Sequence, residues 1–363
     1  MDTRTDTAVV TSVVEIDPTS PWFPDLVRLL ADVDRETVGD AYEPQSVEYH
    51  ARSWRTPNGR QLGWGVVAGG GLAGVAKAYL PTQDNTHLVE LELAVAAAHR
   101  GRGHGRALLE RVVAAARAEG RDTVVSGTGY RPDPSEAWTL HEQAVADASV
   151  STDRVPDHLG VGFARASGAT PVQTEMRSQV RLPVPDPVLE AVEAEAAGRA
   201  DGYTTRTWTG VPPDDLVDDR AVLAERMSTD PPLGDLDWRP EVWDAARVRE
   251  TSEDWARRGI TVVGAGAVDR STGRMVAFSE VGRDEREPTI AYQFDTIVDP
   301  GHRGRRLGIV VKAANLRAVA LAWPEVRRVQ TWNALENGPM LRVNRALGFE
   351  PVGLYTLWQL VLR

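Results

Sequence analysis

VAAAHRGRGHG at residues 95–105 and VDPGHRGRRLG at residues 298–308 are two copies of one segment, held at a constant offset of 203 positions. Val95, His99, Arg100, Gly101, Arg102 and Gly105 recur as Val298, His302, Arg303, Gly304, Arg305 and Gly308. Each copy follows a strand-like run, HLVELELAV in the first and TIAYQFDTIV in the second, and each precedes a helical pattern. In the first, Leu108, Leu109, Val112, Val113 and Ala116 make an apolar face that Gly120 can terminate; in the second, Ile309, Val310, Ala313, Leu316 and Ala320 share that spacing. The repeating unit is a strand, a Gly/Arg turn and a helix.

Working outward, DTVVSGTG (122–129) and VRRVQTWN (326–333) read as following strands. VGFARASGATPVQTEMRSQV and NGPMLRVNRALGFEPVGLYTLWQLVLR then each read as a helix ending at Gly, followed by a strand. Upstream of each copy, helical patterns lead into pairs of antiparallel-looking strands separated by the turns GGG and RSTGR. The expectation is an α+β chain of two domains, residues 1–185 with a polar insertion near 130–158, and residues 200–363. Residues 186–199 form a connector that begins Pro-rich and can hold a short helix.

The length of 363 residues supports two independent cores. With 42% hydrophobic and 26% charged residues the chain is ordinary and globular. The formal net charge of −11 opposes a general hold on nucleic acid or anionic lipid, although a local basic pocket for a phosphorylated molecule is compatible with it. The absence of cysteine removes disulfides, thiolate nucleophiles and Cys-based metal sites. No apolar signal core opens the chain and no run approaches 20 uncharged apolar residues, so a cytoplasmic protein without a membrane partner is expected.

A glycine-rich turn entering a helix aims several backbone N–H groups one way, and the helix dipole favours an anion there. Arg100, Arg102, Gly103, Gly105 and Arg106 meet the demands of a pyrophosphate seat. Neither a Walker A loop nor a dinucleotide fingerprint is present.

On these residues both halves resemble the GCN5-related N-acetyltransferase (GNAT) family in tandem. The family's acyl-CoA motif, [Q/R]-x-x-G-x-[G/A], is met in full by Arg100-Gly101-Arg102-Gly103-His104-Gly105. Arg303-Gly304-Arg305-Arg306-Leu307-Gly308 meets its ends and places Arg306 at the middle glycine. The second half also carries the family's Asn-containing helix and Gly-Phe signature at Asn337, Gly348 and Phe349; the first has Gly168-Ala169 in the latter place. A tyrosine that the family uses as an acid for the departing thiolate aligns with Asn344 in the second half and Ala164 in the first. The resemblance implies two acetyltransferase-like domains, each with a mixed, splayed central sheet flanked by helices. It implies acetyl-CoA or another acyl-CoA as cosubstrate, held by Val95, Arg100, Gly101, Arg102, Gly103, Gly105 and Arg106 in the first half. In the second, the corresponding residues are Val298, Arg303, Gly304, Arg305, Arg306, Gly308 and Asn337.

Direct transfer to an amine needs a positioned carbonyl and a proton acceptor, not a covalent nucleophile. Glu90 and Glu92 share one face of the first strand, and the repeat offset aligns Glu92 with Asp295, so Glu92 and Asp295 are the candidate bases. Tyr355, on the last strand, is the candidate acid. The seven histidines have no metal-site spacing, and no metal is expected. The reading is an acyl-CoA-dependent N-acetyltransferase acting on a primary amine of a small molecule or peptide, with the second half favoured as catalytic. O-acyl transfer to a hydroxyl-bearing metabolite and a noncatalytic acyl-CoA-binding or scaffold protein are the alternatives. Monomer with paired domains and homo-oligomer are both open.

Overall fold

The computed structural model describes residues 12–39, 45–147 and 157–362. The first half runs β1 (Ser12–Glu15), α1 (Phe23–Val38), α2 (Val47–Arg52), β2 (Arg55–Thr56), β3 (Gly59–Ala68), β4 (Gly71–Pro81) and β5 (Leu88–Val95). It continues through α3 (His104–Ala118), β6 (Thr123–Tyr130), α4 (Pro134–Ala146), α5 (Val161–Ala166) and β7 (Thr170–Arg181). The second half begins with α6 (Asp186–Ala196), β8 (Tyr203–Thr209), α7 (Val217–Met227), α8 (Ala245–Arg257), β9 (Ile260–Asp269), β10 (Met275–Asp284) and β11 (Ile290–Val298). It ends with α9 (Leu307–Ala322), β12 (Arg328–Ala334), α10 (Gly338–Ala346) and β13 (Glu350–Val361).

Two compact units form, and they interleave along the sequence. One comprises Met1–Thr128, Asp157–Thr170 and Trp358–Arg363; the other comprises Gly129–Pro156 and Pro171–Leu357. In the first unit, β3, β4 and β5 form antiparallel ladders and β6 joins β5 in parallel. Leu108, Val112 and Ala116 of α3 bury against one face of this sheet with Trp64, Val66, Ala76, Ala78 and Leu80. Phe23, Leu26, Val27 and Leu30 of α1 bury on the other with Val75 and Ala94, the alternation of β4 feeding both layers. The chain end contributes here: Leu362 N–H donates to the Asp122 carbonyl at 2.6 Å, and Trp358 Nε1 donates to Thr128 Oγ1 at 2.9 Å.

In the second unit, β8, β9, β10 and β11 are antiparallel neighbours and β12 lies parallel to β11. β12 then pairs antiparallel with β7, from Arg328 opposite Arg181 to Ala334 opposite Glu175. Ile309, Ala313, Leu316 and Val319 of α9 bury against Val263, Val281, Ala291 and Val329.

Division at residues 185 and 200 does not coincide with the compact units, because β7, the closing strand of the first half, pairs within the second unit while Trp358 onward belongs to the first. Periodicity identifies a strand but not its distant partner. The expected connector is the helix α6, which buries Leu189, Val192 and Ala196. The expected insertion contains α4, capped by Asp133 and burying Ala137, His141 and Ala144, and it packs against α10. Its remainder at 148–156 lies outside the described residues.

Candidate acyl-transfer sites

Each unit opens a gap between two parallel strands. β5 and β6 pair from Leu88 opposite Thr123 to Leu91 opposite Ser126, and β5 then runs on to Val95 without β6 beside it. β11 and β12 pair from Ile290 opposite Arg328 only to Tyr292 opposite Gln330. The antiparallel neighbours differ. β4 pairs with β5 without interruption from Gly74 opposite Val95 to Tyr79 opposite Glu90. β10 and β11 shift register between Ser279 opposite Thr296 and Val281 opposite Gln293, so Phe294 and Asp295 bulge out against Glu280. Gln293 pins this bulge, its Nε2 donating to the Glu280 carbonyl at 2.6 Å, Ser279 Oγ at 3.1 Å and the Asp295 carbonyl at 3.2 Å.

The two turns follow their strands with the same backbone device. Arg100 Nε donates to the Val95 carbonyl at 3.0 Å, and Arg303 Nε to the Val298 carbonyl at 3.1 Å, each arginine folding its turn back onto the strand end. Gly101 and Gly103 have φ of 73° and 84°, and a Cβ on either would meet open space, so conformation, not packing, requires glycine. At Gly105 a Cβ would stand 3.1 Å from the Phe163 ring. Arg102 and Arg106 are exposed beside the α3 N-terminus and, among the described residues, make no ion pair. Arg100 instead forks onto Glu36 of α1 at 2.8 and 2.6 Å.

In the second turn every arginine is occupied. Arg303 reaches Asp230 at 2.5 Å, Arg305 bonds the Tyr203 hydroxyl and the Gly301 carbonyl at 3.0 Å each, and Arg306 pairs with Glu195 of α6. Arg306 holds a left-handed φ of 63° where the first copy has Gly103, and Gly304 has φ of 77°. Gly308 is sterically undemanding, a Cβ there meeting Val298 Cγ2 at an ordinary 3.5 Å. Asn337 caps α10, its Oδ1 accepting from Met340 N–H at 3.2 Å.

The candidate bases sit in opposite electrostatic settings. Glu92 is half exposed and ion-paired at 2.7 Å with the buried ammonium of Lys77 on β4. Lys77 also lies 3.3 Å from His50 Nδ1, and burial together with the Lys77 charge pushes the His50 imidazole down to about 3. The repeat offset puts Glu280 where Lys77 stands and Asp295 where Glu92 stands, so a lysine is exchanged for a carboxylate. Glu280 is held bidentately by Arg220 of α7 at 3.1 and 2.7 Å, while Asp295 is 3.7 Å from the same guanidinium. Burial pushes the Asp295 carboxyl up to about 6; Arg220 opposes this, and the Glu280 and Glu241 carboxylates add to it. With 37% of its side chain exposed, Asp295 is still reachable.

Tyr355 is half-buried on β13, on the strand face opposite Leu354 and Thr356, whereas Leu354 packs with Leu341 of α10 and Ala144 of α4. Glu175 on β7 was not singled out by sequence; burial and the Glu336 carboxylate push it up to about 7. At position 344, Asn344 is buried and bonded to Lys312 Nζ at 2.5 Å and Asn333 Oδ1 at 2.6 Å. Lys312, Glu175 and the counter-charges Glu36, Asp230 and Glu195 lie far in sequence from their partners, and no local pattern marks them. Among the described residues no group of three or more His, Asp or Glu side chains is placed to hold a metal ion, and no helix is long and apolar enough to cross a membrane.

These features define a tandem acyltransferase fold, with a strand, turn and helix repeated beside a parallel splay. Comparison with known proteins agrees. The profile of the acetyltransferase (GNAT) family matches residues 24–137. A tandem GNAT protein from the clavulanic acid biosynthesis pathway, solved without acetyl-CoA, is 25% identical, with 97% of this chain and 98% of that chain covered and a TM-score of 0.73. A GCN5-related N-acetyltransferase from Sphaerobacter thermophilus shares the fold at 18% identity, 97% and 96% coverage and a TM-score of 0.61. No curated protein matches the chain. The chain has a tandem GNAT fold, and its residues 24–137 match the acetyltransferase family.

Proposed function

We propose that the protein is an acyl-CoA-dependent N-acyltransferase whose second half carries out the chemistry, acetyl-CoA being the expected donor and a primary amine of a small molecule or peptide the acceptor. The observation that carries this reading is Asp295 on the β11 bulge, reachable, beside the open splay, and held up to about 6. A base with that affinity is ionised at neutral pH and can take the proton that the attacking neutral amine releases as its N–C bond forms, directly or through a bound water. The amine nitrogen forms its bond to the thioester carbonyl carbon, the C–S bond breaks, and the proton released from nitrogen goes to Asp295 and on to solvent. The bulge leaves β11 backbone groups out of the ladder, in position to orient the acyl carbonyl.

Glu92 is suited to a different role. Its charge is already satisfied by Lys77, and its strand has no bulge, so the first half is proposed as an acyl-CoA seat without a base. The seat is the backbone of Gly101–Gly105 with Arg102 and Arg106 beside it; in the second half the Gly304–Gly308 backbone has the same place, and Arg306 must release Glu195 to meet a pyrophosphate. A small-molecule acceptor, met in the cytoplasm, accords with the similarity to a tandem GNAT protein from the clavulanic acid biosynthesis pathway.

The test is release of CoA from acetyl-CoA against a panel of primary amines and matched alcohols, with product mass spectrometry. Amine-dependent CoA release and an N-acyl product are expected, with Asp295→Asn lowering kcat about 10²-fold or more and Glu92→Gln leaving it within a few-fold. Turnover only with alcohols, or turnover unaffected by Asp295→Asn, overturns the assignment.

A further inference from the structure

Ala291 and Val329 bury against α9, so alternation sends Tyr292 of β11 and Trp332 of β12 to the other face of the sheet. There the Tyr292 and Trp332 rings stack with centroids 6.1 Å apart, and the Arg177 guanidinium of β7 lies 5.9 Å from the centre of the Trp332 ring. Glu175 stands two residues before Arg177 on the same face, opposite Ala334 in the ladder. Leu335 N–H donates to the Thr174 carbonyl at 2.9 Å, which carries Glu336 alongside β7. A Cβ on Gly353 would stand 3.8 Å from Arg177 Cβ, so β13 turns Gly353, and with it Tyr355, to this face. Asp295 opens onto it too. Glu280 and Gly282 alternate onto one face of β10, Gly282 lies opposite Tyr292, and Asp295 is beside the Arg220 that holds Glu280.

Glu175 has nothing to offset its charge. Among the described residues its carboxylate makes no hydrogen bond and no ion pair; burial first, and the Glu336 carboxylate second, push it up to about 7. Arg177 is turned onto Trp332 instead. Glu336 Oε2 is enclosed and has no hydrogen-bond partner among the described residues, and burial raises this carboxyl as well. Both side chains nevertheless keep accessible surface, as do Tyr292, Trp332 and Tyr355. Two neighbouring carboxylates with no cation between them cannot both ionise cheaply, and a buried acceptor without a donor adds to the cost. An incoming cation relieves both.

We propose that Glu175 and Glu336 form a subsite for a second cationic group, an ammonium or guanidinium, carried by the acceptor at the end remote from the nitrogen that is acylated. The inference rests on the acyl-transfer reading of the second half, with Asp295 as its base. The sheet sets the spacing. Asp295 is three residues beyond Tyr292, and Ala334, the partner of Glu175, is four beyond Gln330, the partner of Tyr292, so base and subsite stand at nearly one height. One strand, β12, separates their strands, and two inter-strand spacings amount to on the order of 10 Å. The acceptor is therefore a molecule with two nitrogens about that far apart, one of them a primary amine, whose apolar middle lies along the Trp332 and Tyr292 rings. No bond forms or breaks at the subsite; the carboxyl pair gives its shared proton to solvent as the cation enters.

The experiment compares linear alkanes bearing an amine at each end with alkylamines of the same length bearing one, using acetyl-CoA and the full chain. The same amines are titrated calorimetrically without acetyl-CoA, in buffers of different ionisation enthalpy. In the parent protein kcat/KM is expected to favour the diamine about tenfold or more, chiefly through KM, with the advantage greatest where the nitrogens span on the order of 10 Å. Glu175→Gln and Glu336→Gln are each expected to shrink that ratio and together to abolish it, and diamine binding at pH 7 is expected to release a proton in the parent but not in Glu175→Gln. Circular dichroism verifies the fold; should the double variant not fold, the single variants carry the expectation. A ratio near one at every length in the parent, or one that survives both substitutions, overturns the inference and leaves the acyl-transfer reading intact. Diamine binding that depends on Glu175 without turnover of any amine keeps the cation subsite and overturns the acyl-transfer reading. Neither turnover nor diamine binding overturns both.

Discussion

Asp295 and Glu92 hold equivalent places in the two copies, and the residue across the ladder decides what each can do. Lys77 faces Glu92 and cancels its charge; Asp295 is raised to about 6 by burial, against the pull of Arg220, and Glu280 across the ladder adds to the rise. A carboxylate raised above its unfolded value costs stability once it ionises. Because the native state binds that proton more tightly, the contribution is favourable below about pH 4 and is lost as pH rises through about 6. Asp295→Asn is therefore expected to raise the melting temperature at pH 8 while reducing turnover, with the difference closing toward pH 4; thermal unfolding at both pH values checks this. Both carboxylates were legible from the repeat and the period of two, but their unequal chemistry was not. It depends on Lys77, Glu280 and Arg220, of which Arg220 is 75 positions away from Asp295 in sequence.

At the scale of elements, the turn and its helix were the most legible parts, because glycine at positive φ and an apolar face at helical spacing are both local signals. Gly103 and Gly308 separate conformational from ligand demand. Gly103→Ala places a Cβ at φ of 84° and is expected to cost about 1 kcal/mol in denaturant unfolding. Gly308→Ala sits inside α9 at ordinary contact distance and should leave stability unchanged or slightly higher, yet weaken CoA binding to the second half if backbone there approaches the pyrophosphate. Calorimetric CoA titration of each variant reads the second effect. The β11 bulge was not legible, since one extra residue leaves a strand pattern looking unbroken; it becomes visible only through the register against β10 and the three bonds of Gln293. Gln293→Leu removes those bonds while keeping the volume similar, and is expected to lower kcat about tenfold or more with the fold retained, measured by steady-state kinetics beside circular dichroism.

For the molecule as a whole, two acetyltransferase-like domains were legible from the repeat, but which closing strand completes which unit was not. β7 pairs with β12 over seven residue pairs, a long-range choice that no local period encodes. Separate fragments 1–185 and 200–363 are accordingly expected to lack cooperative thermal unfolding, each missing a strand segment that its compact unit contains. The central claim is that one base, Asp295, serves the whole chain. Its most direct test is the pH dependence of kcat/KM for acetyl-CoA and a reactive amine, in the parent protein, Asp295→Asn and Glu92→Gln. The account predicts a rise through an ionisation near pH 6 in the parent and in Glu92→Gln, absent from the residual activity of Asp295→Asn. A profile that loses this ionisation in Glu92→Gln and keeps it in Asp295→Asn would contradict it.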